Sequence, residues 1–293
     1  MAQKLFQIVT DSSSDMTKEY LDANGVECVN LGFTLNGENY CGEDGKPIEI
    51  KDFYNLMRTG AMPTTYQVAS EIAKIHIEKY LKEGKDVLVV AFSSGLSGTA
   101  SSFTVAARDL KEEYPDRKIK VVDSLCAAMG EGLLLDYVVK KADEGATIEE
   151  TKAYAETLKM QICHEFTVDD LFHLKRGGRV SSTTAVVGSI LKIKPVMHVD
   201  NAGHLVPVGK AMGRKKSIHA LAENMAKAQI LEKGDPIFIS HGDCLEDAEY
   251  LKSILVERYP ENPVTIGYVG AVIGAHSGAG TLALFYKGKA REL

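Results

Sequence analysis

The sequence predicts an α/β fold in two domains, the first built on a parallel sheet with helices on both faces. Apolar, strand-like runs alternate with helix-like segments through the first half of the chain, as in parallel sheets whose strands are connected by helices. The length of 293 residues exceeds what a single hydrophobic core usually fills. A content of 45% hydrophobic and 25% charged residues is typical of a globular protein.

In the first half, short apolar runs predict strands, and segments with apolar residues three or four positions apart predict helices. The continuous apolar run at 87–92 favours a buried strand of a parallel sheet. Residues 37–47 are rich in Gly and Asn and predict a turn region. The predicted strands are 5–9, 26–33, 86–92 and 119–122. The predicted helices are 17–23, 51–58, 68–83, 100–113 and 127–143.

The second half is less regular. A helix predicted at 148–159 either connects the two domains or is the first element of the second. The turn at 201–203 predicts a hairpin. The other predicted strands are 166–168, 194–199, 205–208, 237–241, 264–269 and 282–286, and the other helices are 214–229 and 245–259. We place the boundary near residue 160, which gives domains of residues 1–160 and 161–293.

Charge and composition disfavour several classes of function. A formal net charge of −6 repels phosphate backbones and argues against nucleic-acid binding. The apolar runs are too short to span a membrane, and the N-terminal residues predict no secretory signal. Five scattered Cys without a C-x-x-C pair favour reduced thiols in a cytoplasm. The His and Cys spacings predict no metal site.

Hydroxyl-rich loops follow three predicted strands, at 9–15, 92–99 and 121–124. Ligands of open parallel sheets bind outside the carboxyl ends of the strands, so these loops predict a binding crevice that includes Asp11, Ser12 and Ser124. The same residue types also cap helices, and Asp15 and Thr99 are suited to that role.

The loop at 93–99, SSGLSGT, is the most informative of the three. It follows a buried strand and opens a helix, so its N–H groups favour an anion. It lacks the Gly-Lys-Ser/Thr ending of a nucleotide-binding loop and the last Gly of a nucleophile elbow. Nothing near Ser97 in sequence supplies the base that a Ser nucleophile needs. We therefore predict an anion-holding loop.

Three further segments carry candidate residues. Thr64 or Thr65 could cap the following helix, and His276 lies in a Gly-rich turn that leaves it open to a ligand. The basic stretch 174–181 is either a solvated turn or a contact for an acidic partner or lipid headgroups. The apolar segment 183–193 could line a cavity.

Taken in order, these segments resemble the DegV family, the fatty-acid-binding proteins of the FakB type that serve bacterial fatty acid kinase. The resemblance runs nearly end to end, and its motifs are specific in this order and at these spacings. They are DSSSD at 11–15, PTT at 63–65, SSGLSGT at 93–99, VDS at 122–124, LKRGGRVS at 174–181, IKP at 193–195, GxLxP at 203–207 with Lys210, and IGAHSG at 273–278.

The resemblance implies an α/β/α parallel-sheet domain followed by a two-layer α/β domain with a mixed sheet, which supplies His276 and part of an acyl tunnel. It implies a fatty-acid carboxylate held by Thr65, by Ser97 with the Gly98 backbone, and close to His276. It implies no catalytic residues, no cofactor and no metal. Its partner would be a dihydroxyacetone-kinase-like fatty acid kinase in phospholipid synthesis. Three residues depart from the family pattern beside this site, namely Tyr66, Val68 and Ala279.

Three functional hypotheses follow. The preferred one is a carrier that binds a long-chain fatty acid and presents its carboxylate to the kinase. The second is a hydrolase or acyltransferase that uses Ser97 with His276. The third is an adaptor that contacts its partner, or transiently a membrane, through Lys175, Arg176 and Arg179.

Overall fold

The computed structural model describes residues 5–169, 171–181 and 193–291. The strands are β1 (Gln7–Asp11), β2 (Val26–Val29), β3 (Gly32–Leu35), β4 (Glu38–Cys41), β5 (Thr64–Tyr66), β6 (Val87–Ala91), β7 (Ile119–Asp123), β8 (Ile162–Thr167), β9 (Ile193–Val199), β10 (Leu205–Met212), β11 (Ile237–His241), β12 (Val264–Tyr268) and β13 (Leu282–Lys287). The α-helices are α1 (Lys18–Ala23), α2 (Ile50–Arg58), α3 (Ser70–Lys82), α4 (Thr99–Glu113), α5 (Met129–Asp143), α6 (Ile148–Leu158), α7 (Phe172–Arg176), α8 (Arg214–Ala228), α9 (Leu245–Arg258) and α10 (Ala271–Ser277).

The first sheet is parallel, with strand order β2-β1-β6-β7. All five residues of β6 are buried, because helices cover both faces of the sheet and leave no face for polar side chains. Alternate residues divide between the faces: Leu88 and Val90 pack towards α5 and α6, whereas Val87 and Val89 pack towards α3 and α4. This is the three-layer α/β/α arrangement.

The second sheet is mixed, with strand order β10-β9-β8-β13-β11-β12. Among the described strand pairs of this second sheet, β11–β12 is parallel and the others are antiparallel. Helices α8 and α9 cover one face, and α5 packs against the other. The predicted α/β fold class is therefore confirmed, with a parallel sheet and a separate mixed sheet.

Helix α5 lies between the two sheets. Twelve of its fifteen residues are buried, since the helix is apolar around most of its circumference. One core cluster contains Leu88 of the first sheet, Leu133 of α5 and Phe285 of the second sheet. The two halves of the chain thus share a core, and the domain boundary near residue 160 stays a prediction.

A small antiparallel sheet, in the order β4-β3-β5, was not predicted. The predicted strand at 26–33 is two strands, β2 and β3, and the predicted turn region at 37–47 contains β4. Strand β4 is polar and largely exposed at this edge, so its composition is typical of a loop. The Thr64–Tyr66 segment, interpreted as a helix cap, is strand β5, and α3 starts after Ala69.

The sequence predicts a Gly-rich turn around His276, whereas the structure has helix α10 there. Its residues are AVIGAHS, followed by Gly278 at φ 82°. Glycine lowers helix propensity, but Gly274 approaches the rings of Phe53 and Tyr54 so closely that a Cβ would lie 2.6 Å from the Tyr54 hydroxyl. Packing against α2 thus favours a helix here. Among the helices of the described residues, none is both long and apolar enough to cross a bilayer.

Candidate functional site

A cavity of about 350 Å³ lies among the two large sheets, α10 and the loops that follow β6 and β7. Its volume is at the lower end of the range of small-molecule sites. Polar residues line one part of the cavity, namely Thr65, Gln67, Ser97, Gly98, Arg179 and His276. Apolar residues line most of the rest, among them Ala127, Phe166, Val199, Leu205, Ala283 and Phe285. Such a cavity suits a ligand with a long apolar portion and a single polar end.

Thr65 and His276 form the centre of the polar part. Strand β5 places Thr65 opposite Phe33 of β3, and the last turn of α10 carries His276. Thr65 Oγ1 lies 2.7 Å from His276 Nε2. The other ring nitrogen, Nδ1, is buried and has no hydrogen-bond partner among the residues described. The sequence motifs PTT and IGAHSG, which are more than two hundred residues apart, therefore meet at one point.

His276 is neutral at physiological pH. Burial lowers its pKa to about 4, and the nearby charges of Arg179 and Arg176 act in the same direction. A neutral imidazole carries one N–H donor and one acceptor nitrogen. His276 can therefore donate Nε2–H to the Thr65 oxygen, which leaves the Thr65 hydroxyl proton for a ligand.

Ser97 and Gly98 stand at the start of α4. Ser97 Oγ lies 3.0 Å from Thr99 Oγ1 and accepts a hydrogen bond from the Thr99 N–H. Gly98 is the N-cap residue and makes no side-chain cap hydrogen bond itself, so Ser97 satisfies the Thr99 N–H alone. The other N–H groups in the first turn of this fifteen-residue helix remain available and carry partial positive charge. This arrangement favours an anionic group at the polar part of the cavity, as the loop sequence predicts.

The two arginines of the basic stretch are half-buried. Arg179 lines the cavity, and its Nε and Nη2 donate to the Leu96 carbonyl at 3.1 and 2.9 Å. Arg176 Nη2 donates to the Ala275 carbonyl at 3.0 Å. Lys175 is exposed. The cavity position of Arg179 was not predicted, and the partner contact expected of these three residues stays a prediction.

The predicted crevice residues Asp11, Ser12 and Ser124 do not line the cavity. They bind backbone groups of neighbouring loops instead. Asp11 accepts hydrogen bonds from the N–H groups of Ser13 and Phe92, at 3.0 and 2.9 Å. Ser12 Oγ accepts from the Leu31 N–H, and Ser124 Oγ accepts from the Cys126 N–H, both at 3.0 Å. These side chains fix the loops at the carboxyl edge of the parallel sheet, and the loops after β2, β6 and β7 supply lining residues.

A buried acidic cluster lies beside β1. It consists of Asp11 and Glu131, which are inaccessible to solvent, and Asp15, which is partly accessible. Burial raises the pKa of Asp11 to about 6 and raises those of Asp15 and Glu131 well above their usual values. Glu131 contacts the hydroxyls of Thr10 and Ser13. The cluster is not evident from sequence, because Glu131 lies more than a hundred residues after the DSSSD motif that it contacts.

His164 also lines the cavity, among its apolar residues. Its Nδ1 donates to the Ile162 carbonyl at 3.1 Å, and its Nε2 accepts from the Ala127 N–H at 3.3 Å. Burial, with the charge of Arg291, holds its pKa well below the usual value. Since both nitrogens bind the backbone, His164 presents the cavity with carbon atoms.

Two of the departures from the family pattern have a local structural account. The Tyr66 ring covers Gly32, where a Cβ would lie 2.2 Å from its hydroxyl oxygen. Glycine at position 32 therefore makes room for the larger side chain. Val68 is buried in the core beside α3. Neither residue displaces Thr65 from His276. Within the residues described, no cluster of His, Cys, Asp and Glu could hold a metal ion.

Comparisons with known proteins agree with this geometry. The model of the DegV family matches residues 5–289. A DegV domain-containing protein of Clostridium perfringens is 43% identical over 289 residues, which cover 99% of each chain. A DegV-family structure from Thermus thermophilus, described as binding fatty acid, is 29% identical, with a TM-score of 0.86 over 97% of this chain and 100% of that one. The fatty-acid-binding protein DegV of Bacillus subtilis is also 29% identical, with a TM-score of 0.82 over 98% of this chain and 100% of that one.

Proposed function

The chain belongs to the DegV family, and from that premise we propose that it binds a long-chain fatty acid and presents the carboxylate to a fatty acid kinase. The observation that carries the proposal is the cavity, which is largely apolar and has Thr65, Ser97 and His276 together in one part. A fatty acid has the matching distribution of polarity. The fatty-acid-binding DegV relatives of Thermus thermophilus and Bacillus subtilis support the choice of ligand.

The apolar wall supplies most of the affinity in this proposal. Burial of an acyl chain contributes about 0.8 kcal/mol per CH₂, so about fifteen methylenes contribute roughly 12 kcal/mol before the cost of ordering the ligand. His164 does not interrupt this wall, because its nitrogens are bound to the backbone. The tail therefore determines how tightly the ligand binds, and the polar part determines its direction.

The carboxylate would accept hydrogen bonds from the Thr65 hydroxyl, the Ser97 hydroxyl and the Gly98 N–H. Neutral His276 positions Thr65 through the 2.7 Å contact. The guanidinium of Arg179 lies in the same lining but donates to the Leu96 carbonyl, so it offsets the carboxylate charge without a bidentate clamp. Neutral donors leave the carboxylate accessible to a kinase, which would transfer the γ-phosphoryl group of ATP to a carboxylate oxygen and release ADP.

The hydrogen bonds do not favour the alternative of a Ser-dependent hydrolase or acyltransferase. That mechanism needs Ser97 within reach of His276 as base. Ser97 Oγ contacts Thr99, and His276 Nε2 contacts Thr65. The pair that the alternative requires is not formed.

Bound lipid is the first test. Mass spectrometry of purified and then denatured protein should detect a long-chain fatty acid, and delipidated protein should take up palmitate or oleate. Protein that carries no fatty acid and takes up neither ligand would rule out the proposal.

Presentation to a kinase is tested separately. Loaded protein, Mg²⁺-ATP and a dihydroxyacetone-kinase-like fatty acid kinase should together form acyl phosphate, detectable as a hydroxamate after addition of hydroxylamine. Omission of either protein should abolish the product. If the kinase acts equally well on free fatty acid, the presentation role is wrong while fatty-acid binding can still stand.

A further inference from the structure

Ser277 carries a buried hydroxyl that nothing in the fold explains. It is 6% exposed and belongs to the cavity lining, and its Oγ has no hydrogen-bond partner among the described residues. A buried polar atom without a partner costs about 1–3 kcal/mol. Such an atom in a cavity wall indicates a group that a ligand completes.

We propose that the Ser277 hydroxyl is a further hydrogen-bond donor to the carboxylate of the bound ligand. This inference rests on the proposed binding of a fatty acid. It deepens that function by assigning the ligand a contact on α10 in addition to the β5 and α4 contacts.

The position of Ser277 supports this assignment. It follows His276 on the last turn of α10, so the two Cα atoms are about 3.8 Å apart. His276 is fixed at the polar part of the cavity by Thr65. Both residues line the cavity, so the Ser277 hydroxyl belongs to the wall next to the residue that marks the polar part. A fatty acid has its hydrogen-bond acceptors only at this end, and methylene groups cannot satisfy a hydroxyl.

The other polar lining residues on the second-sheet side offer no comparable donor. Thr281 Oγ1 donates to the Gly278 carbonyl at 2.8 Å, and His164 has both nitrogens engaged. A carboxylate has two oxygens with about four acceptor positions. Thr65, Ser97 and the Gly98 N–H supply three donors in the proposed function, and Ser277 supplies a fourth.

Two variants of Ser277 separate the hydroxyl from its volume. Ser277→Ala removes the donor, and Ser277→Cys keeps the shape but substitutes a weak donor. Each should bind palmitate about tenfold or more weakly than the parent protein, because hydrogen bonds to charged groups are stronger than neutral ones. Each should show a distinctly smaller loss with hexadecanol, which has no carboxylate.

Stability of the ligand-free protein provides a second readout. Removal of an unsatisfied buried hydroxyl should leave the melting temperature of delipidated Ser277→Ala unchanged or raise it. The matched control is Thr281→Val in the same cavity wall. It leaves the Gly278 carbonyl without its donor, so it should lower the melting temperature and weaken both ligands alike.

Equal loss of palmitate and hexadecanol in the two Ser277 variants would overturn the proposal, and so would palmitate binding as tight as in the parent protein. Circular dichroism of each variant checks that it is folded. A parent protein that binds neither ligand would instead refute the proposed function itself.

Discussion

The contact between Thr65 and His276 shows how two ordinary residues acquire a specific role. A threonine on a strand and a histidine at a helix end are common, and each has a simple structural explanation when taken alone. Thr65 Oγ1 lies 2.7 Å from His276 Nε2, and burial with two nearby arginines keeps the imidazole neutral. This contact orients the Thr65 hydroxyl so that it can donate a hydrogen bond in one direction. The role belongs to the pair.

The Thr65 hydroxyl can be tested by an isosteric change. Thr65→Val should weaken palmitate binding about ten- to a hundredfold, the equivalent of one hydrogen bond to a charged group. The control is Thr64→Val on the same strand, whose side chain is exposed. Isothermal titration calorimetry measures both. Similar affinities of the two variants would show that Thr65 does not contact the carboxylate.

Asp11 makes stability depend on pH. Its pKa is about 6 in the folded protein and near 3.9 in an unfolded chain, so the folded state retains the proton longer. Stability is therefore lost as pH rises between these values. The loss is roughly 3 kcal/mol of unfolding free energy, because one pKa unit corresponds to about 1.4 kcal/mol.

Asp11→Asn removes this titration. Between pH 4 and pH 7, the unfolding free energy of the parent protein should fall relative to that of the variant, as measured by urea denaturation at each pH. The comparison uses the change with pH, since the variant also loses hydrogen bonds at every pH. Parallel pH curves would show that Asp11 is ionised in the fold.

At the scale of elements, local pattern predicted most of the chain. Strands β6, β7 and β11 and helices α4, α5, α8 and α9 lie within a few residues of their predicted bounds, because each has a continuous apolar run or a helical apolar stripe. The sequence could not indicate β4 and α10. Strand β4 is polar at an exposed edge, and α10 contains glycine that packing against α2 requires.

The candidate site was predictable only where a local sequence motif marks its residues. Thr65, Ser97, Gly98 and His276 stand in motifs, and the structure brings all four to one cavity. Arg179, His164 and Ser277 were not identified as lining residues, because their positions depend on how the two sheets pack across α5. Asp11, Ser12 and Ser124 resemble ligand-binding residues in sequence, but they bind backbone N–H groups in the structure.

The loop after α7 contains two glycines with different requirements. A Cβ on Gly177 would lie 2.1 Å from His276 Nδ1, whereas Gly178 has open space but a φ of 73°. Gly177→Ala should displace the imidazole and weaken palmitate binding. Gly178→Ala should cost about 1 kcal/mol of unfolding free energy through backbone strain alone. Equal palmitate affinity in the two variants would contradict this division.

Helix α7 also presents the exposed charge of the basic stretch. Lys175 is exposed near Phe172, which is 51% exposed. Lys175→Glu should weaken binding to phosphatidylglycerol vesicles or to the kinase and leave palmitate affinity unchanged. Lys18→Glu on α1 is the control with the same change of charge. If both variants bind vesicles and kinase as the parent does, Lys175 is a solvated residue only.

At the scale of the whole molecule, α5 joins the two halves of the chain. Its apolar sides pack against both large sheets in one core cluster, so neither half covers α5 alone. We expect the protein to unfold in a single transition.

The predicted boundary can be examined with fragments. A fragment of residues 1–160 should aggregate or bind hydrophobic dyes when expressed alone, because the second-sheet side of α5 would be exposed. Calorimetry of the full chain and light scattering of the fragment test this. A monomeric, cooperatively folded fragment would establish that residues 1–160 form an independent domain.

A ligand in the cavity between the sheets would pack against apolar side chains as part of the hydrophobic interior, but it can dissociate. An empty protein opens more often than a loaded one, since a ligand present at a hundred times its dissociation constant stabilises the folded state by about 2.7 kcal/mol. Proteases act on open states. If the proposed function is correct, the abundance of the protein should follow lipid supply, because copies without fatty acid would be degraded first.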